Sequence, residues 1–321
     1  MKRFLFMLTI CLAGLFGSCA DEKLGESIFD DTEITRNEFD KWLLSNYTYP
    51  YNIDFKYRME DIESDRTYTL VPADVDKSIQ LAKLIKHLWL EPYDELVGIN
   101  FTRSYIPKVI HLVGSAAYNL NNSIVLGTAE AGLKVTLYTV NTLTIDPAYL
   151  NERYFKTMHH EFGHILNQTI KYDPEFAKIS DANYIGADWV NRSLADANSL
   201  GFISQYARSS HGEDFVEMYS IFITNTQQVW DNKLTQADAA AQSVAEAKIR
   251  AAAQEAGKTL SEDEVKRQAE LIKFNAVATI NQKFEIVMNY MKNVWNIDVY
   301  KMRDIVQRRN SEIFVLDLDK L

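Results

Sequence analysis

The chain has 321 residues, 47% of them hydrophobic and 12% aromatic, which excludes an intrinsically disordered protein and supports one large domain or two modest ones. Lys and Arg total 34 against 44 Asp and Glu, a net charge of −10. Nucleic acids and anionic lipid surfaces recruit basic faces, so neither is expected as the main partner.

At the N-terminus, Lys2 and Arg3 precede an apolar run from Phe4 to Phe16, too short to be an ordinary membrane span, and Gly17-Ser18-Cys19 follows. This order of basic start, short apolar stretch and small residues before a cysteine resembles a bacterial lipoprotein signal peptide. Residues 1–18 are then expected to be removed and Cys19 lipidated. The only cysteines are Cys11 and Cys19, so the mature chain would hold neither a free thiol nor a disulfide. Ala20-Asp21-Glu22 resembles the acidic surface-export signal of Bacteroidetes-type lipoproteins. Residues 19–35 are polar and acidic and read as a lipid anchor with a flexible tether. No later apolar run is long enough to span a bilayer, so attachment is expected through lipid. The location implied is the cell envelope at the outer membrane, facing either the periplasm or the exterior.

Residues 36–321 are expected to form the folded domain. From Arg36 to about Tyr93 the pattern is mainly helical, with Ile79, Leu81, Leu84, Ile85 and Leu88 spaced as one face of a helix. Between Pro107 and Thr144 the period changes. Val109–Val113, Ser123–Leu126 and Leu133–Val140 are β-branched runs expected as strands of one sheet. A helix is expected from Pro147 to about Ile170 and another from about Glu213 to Asn225. Residues 235–275 read as a helical hairpin, with Gly257 as a stop and Ser261-Glu-Asp-Glu264 as a capping box. Two amphipathic helices, about 276–294 and 298–309, complete an α+β domain.

The chemistry is concentrated in His160-Glu161-Phe162-Gly163-His164. Helix positions i and i+4 lie one turn apart on one face, so His160 and His164 can reach one tetrahedral Zn²⁺. Glu161 then stands beside the metal, where a carboxylate can deprotonate water. On a helical wheel Phe155, Met158, Ile165, Leu166 and Thr169 fall within about 60° of Phe162, and both histidines fall roughly 160° away. One face is therefore expected to pack while the other carries the histidines. A catalytic zinc needs a third protein ligand and one open position. Glu213 and Glu217 are again i and i+4, opposite Phe215, Met218, Tyr219 and Phe222. Glu213 is assigned as the third ligand, and Glu217 as the carboxylate that takes a ligand histidine's other ring nitrogen.

Tyr206 through Glu217, following His160–His164, resembles the active-site region of gluzincin peptidases of the anthrax lethal factor type. That family carries the same helix motif, a Tyr seven residues before the ligand Glu and a second Glu four after it. The similarity covers Met158 to Phe222, and Asp214 stands where that family has an apolar residue. It implies His160, His164 and Glu213 as zinc ligands, Glu161 as general base, and Tyr206 stabilising the oxyanion or the departing amine. It also implies a zincin-like core in which an extended substrate pairs with the strand before the active helix, here Leu133–Val140. Over its full length the chain resembles the zinc-binding metallopeptidase lipoproteins of Bacteroidetes, whose members are associated with TonB-dependent nutrient import at the outer membrane.

The remaining histidines read otherwise: His159 packed, His87 and His111 structural, and His211 either bordering the site or on the surface. Most Tyr and Trp are spaced as core residues. Three functions fit these residues: an endopeptidase acting on peptides or proteins outside the cytoplasm, a zinc amidase or deacetylase, and a non-catalytic import accessory lipoprotein. The intact set Glu161, His160, His164, Glu213 and Tyr206 favours catalysis.

Overall fold

Capped amphipathic helices and a small mixed sheet make up the described part of the chain, which in the computed structural model is residues 35–321 apart from 61, 65–66, 119–123, 126 and 131–132. The expected signal segment, Cys19 and nearly all of the expected tether lie outside the described residues. Among the described residues no helix is long and apolar enough to cross a membrane. Glu38–Leu321 form one compact unit.

Helix α1 (Glu38–Leu43) runs on through a π-turn at Leu44–Thr48 and ends at Asn52, whose φ of 57° is left-handed. The stretch to Tyr93 is mainly helical as expected, with one short strand inserted. Asp54–Lys56 is a strand, and the described residues between it and the Asp74 cap of helix α2 (Val75–Ile85) form no helix or further strand. The helix face read from the sequence is the buried one: Ile79, Leu81, Leu84, Ile85 and Leu88 are all in the core.

The strands are β1 (Asp54–Lys56), β2 (Val109–Leu112), β3 (Ala117–Tyr118), β4 (Ile124–Val125), β5 (Gly127–Glu130) and β6 (Lys134–Leu137). Four of them form a sheet in the order β1-β2-β6-β5, with β1, β2 and β6 parallel and β5 antiparallel to β6. The expected Ser123–Leu126 strand does not join it; Ile124–Val125 pairs with β3 in a separate two-stranded sheet. The Leu133–Val140 run is the inner strand β6, hydrogen-bonded on both sides, so a substrate cannot add there. The outer edge belongs to β5, whose backbone lies beside the helix that carries the histidines.

That helix starts early. Asp146 accepts a hydrogen bond from the Tyr149 N–H, Pro147 fills the first turn, and helical backbone runs through a π-turn at Asn151–Phe155 into α3 (Lys156–Thr169). Met158, Phe162, Ile165 and Leu166 are buried as the wheel indicates, while Thr169, at the end of the same stripe, is exposed. Phe162 packs edge-on against Tyr93 and Trp89, with ring centroids 4.7 and 6.3 Å away. Helix α4 (His211–Thr224) crosses α3, capped by the Ser210 hydroxyl. The C-terminal helices are α5 (Gln227–Glu255), α6 (Glu262–Ile272), α7 (Ala276–Trp295) and α8 (Val299–Glu312). The hairpin of α5 and α6 turns at Gly257 and restarts at the Ser261 cap as the sequence indicates, but its first helix begins at Gln227.

Gly163 sets how closely α3 and α4 meet. A Cβ there would lie 2.9 Å from Val216 Cγ1 and 3.3 Å from Val216 Cβ, a gap that only glycine tolerates without a shift. Gly163→Ala is expected to cost about 1–3 kcal/mol through overpacking. Chemical denaturation would read this as a lower midpoint, and an unchanged midpoint would contradict the close approach.

Candidate metal centre

Three side chains converge in the space between α3 and α4. His160 Nε2 lies 3.0 Å and His164 Nε2 3.1 Å from the same oxygen, Glu213 Oε2. His160, His164 and Glu213 each offer a donor atom within 4.8 Å of the others, and they form a metal-competent cluster among the described residues. A tetrahedral zinc with bonds near 2.0 Å spaces its donors about 3.3 Å apart, so a small opening of the cluster would admit one. Two imidazole nitrogens and one carboxylate are a donor set that suits zinc while leaving a position free.

The opposite nitrogen of His160 fixes its orientation. His160 Nδ1 donates to Glu217 Oε1 at 2.8 Å, and the other Glu217 oxygen accepts from Ser204 Oγ at 2.6 Å. Lys156 Nζ also donates to Glu217. A carboxylate that is 1% exposed needs such partners to remain ionised. Burial alone would raise the Glu217 pKa, but the Lys156 charge and the His160 hydrogen bond outweigh it and hold the group at about 2. On His160, burial opposes the charged form, yet the hydrogen bonds to Glu213 and Glu217 prevail and raise its pKa to about 9. For Glu213, burial is likewise outweighed, by hydrogen bonds from both histidines, and its pKa falls below the usual carboxylate range.

Glu161 is half-buried, and burial is the main reason that its pKa is raised, against the lowering pull of His160 and His164. Tyr206 stacks on His160, with centroids 5.9 Å apart and planes at 26°. Burial first, then the charge and hydrogen bonding of Glu213, push its phenol pKa up.

The structure thus brings together His160, Glu161, His164, Tyr206, Glu213 and Glu217. Asp214 is turned elsewhere: it is buried against Lys283 at 2.7 Å and accepts from the Tyr184 hydroxyl at 2.9 Å. Burial pushes the Asp214 pKa up and that of Lys283 down, against their mutual attraction. His159 is in the core, its Nδ1 2.9 Å from the Tyr93 hydroxyl, and burial lowers its pKa to about 3. His87 is bonded to Arg309, and His111 is buried within β2. His211 is exposed at the start of α4, with Nδ1 2.7 Å from the Tyr172 hydroxyl. Three contributors escape sequence reasoning: Lys156, Ser204, and Trp189, whose ring meets that of Tyr206 at 5.0 Å. Lys156 had a signal, since it lies one helical turn before His160. Ser204 and Trp189 reach the site through tertiary packing and had none.

A helix bearing two histidines, crossed by a helix bearing a carboxylate beside a small mixed sheet, makes a site that could hold a zinc ion. Residues 32–300 match the family model described as "Putative zinc-binding metallo-peptidase", and the chain belongs to that family. It is also similar to the crystal structure of "a putative zinc-binding metallo-peptidase from Bacteroides caccae", at 42% identity and a TM-score of 0.69, over 92% of this chain and 99% of that one. No curated protein matches the chain.

Because His160 is raised above its unfolded value of 6.5 to about 9, its protonated form stabilises the metal-free fold fully below pH 6.5. That contribution is lost as pH rises through about 9. Zinc must displace the same proton, so zinc affinity should climb with pH up to about 9 and then level off. Chelator competition across that range measures it, and an affinity independent of pH would contradict the arrangement.

Proposed function

We propose that this chain is a zinc endopeptidase of the gluzincin type, hydrolysing peptides or proteins outside the cytoplasm, with His160, His164 and Glu213 as metal ligands. The observation that carries this reading is the convergence of two imidazole nitrogens on one Glu213 oxygen, at 3.0 and 3.1 Å. A bound zinc supplies Lewis-acid activation of water and of the scissile carbonyl.

The chain's own residues do the rest. Glu161, whose pKa is raised by burial, is suited to take a proton from the attacking water and pass it to the departing nitrogen. Tyr206, kept protonated by its raised pKa, can donate a hydrogen bond to the developing oxyanion. Glu217 holds His160 Nδ1, leaving Nε2 aimed at the cluster. Among the described residues β5 pairs with β6 alone and lies beside α3, which offers an extended peptide a partner for strand addition, a feature that favours peptides over small amides. We place the enzyme in the cell envelope, held by lipid on Cys19; the support for this is the N-terminal sequence pattern.

Glu161→Gln should lower turnover of mixed peptide substrates at least about 100-fold while zinc content stays at the wild-type level. Tyr206→Phe should lose about 100-fold in kcat, the scale of one oxyanion donor. Retained cleavage by Glu161→Gln would sink the mechanism.

A further inference from the structure

Next to Glu213 on α4 lies a buried ion pair that the proposed chemistry does not use. Asp214 and Lys283 of α7 are both without solvent exposure and 2.7 Å apart. The Lys283 ammonium also donates to the Gly201 carbonyl at 3.0 Å and sits 3.9 Å from the centre of the Phe202 ring. Gly201 has a φ of +81°, and a Cβ there would lie 2.7 Å from Thr279 Cβ on α7. The loop is therefore seated directly on α7, and no side chain fits at the contact.

The next residues of that loop serve the metal cluster. Ser204 Oγ donates to Glu217 at 2.6 Å, and Tyr206 stacks on His160. Two buried charges add little stability that an apolar pair could not supply, because desolvation offsets their attraction. What they supply is geometry. An ammonium has three donors, and here two of them are committed to groups on different elements: a loop carbonyl and a carboxylate in the first turn of α4.

We propose that Lys283 is a positioning residue of the metal centre: it holds the Gly201–Tyr206 loop in register with the first turn of α4, so that Ser204 meets Glu217 and Tyr206 meets His160. The proposal rests on the reading of His160, His164 and Glu213 as metal ligands.

Lys283→Met alone strands a buried carboxylate, so the test uses the pair Asp214→Asn/Lys283→Met in the full chain. Val287→Ala, one turn along α7 and also buried, serves as a control that loosens the same helix while keeping Asp214, Lys283 and Gly201. Gly201→Ala displaces the same loop while leaving the ion pair intact, and it keeps the test open should the paired variant not fold. Co²⁺ is the probe, read by its visible absorption and by competition with a chelator, alongside kcat and KM on mixed peptides.

The paired variant and Gly201→Ala should each show an altered cobalt spectrum and a kcat lower by about tenfold, with KM little changed. Val287→Ala should melt earlier yet keep the wild-type spectrum and kcat. Folded loop variants with the wild-type cobalt spectrum and kcat would overturn the proposal, as would Val287→Ala reproducing their losses. A wild type that takes up no cobalt overturns the metal-centre reading, and the proposal falls with it. A wild type that binds cobalt but cleaves no peptide overturns only the peptidase reading, and the spectra still decide the role of Lys283.

Discussion

The contact between α3 and α4, closed at Gly163 against Val216, is the constraint on which the site depends. It brings His160 and His164 on one helix to Glu213 and Glu217 on the other, and a side chain at position 163 would wedge the two apart. The other side of the same contact is buried in the core. Tyr93 links His159 of α3 to Tyr219 of α4, at 2.9 and 3.0 Å, while Phe162 packs against Tyr93 and Trp89. Burial on that side drives the helices together, and the polar cluster on the other side is carried into place by that packing.

Electrostatics then sorts adjacent acids into different roles. Glu213 and Asp214 are neighbours in sequence, but a helix turns about 100° per residue. Glu213 therefore meets the histidines and Asp214 meets Lys283. Glu217 lies one turn further on, where Lys156, Ser204 and His160 keep its charge in a nearly closed environment. Each buried carboxylate has a cation or an imidazole beside it, as the cost of desolvation demands.

Local signals in the sequence carried much of this. The 3.6-residue period placed the faces of α2 and α3, and Gly257 with Ser261 marked the hairpin turn, because these are short-range features of backbone and capping. The pairs His160/His164 and Glu213/Glu217 were legible for the same reason, being i and i+4 on single helices. Strand pairing was not. Gly127-Thr-Ala-Glu130 lacks a β-branched run, and its place at the sheet edge depends on its register with β6, so the edge was assigned to the wrong strand. Asp54–Lys56 was missed because three residues between helices give no periodic signal. Ser204 was invisible as a site residue, and Lys283 as the partner of Asp214, since one sits in a loop without periodicity and the other is distant in sequence.

The most direct test of the account is the metal content, by mass spectrometry, of the purified protein beside its His160→Ala and Glu213→Ala variants. The account predicts about one zinc per chain in the wild type and little in either folded variant. A folded wild type without zinc, or variants that retain it in full, would contradict the assignment of His160, His164 and Glu213 as the metal centre.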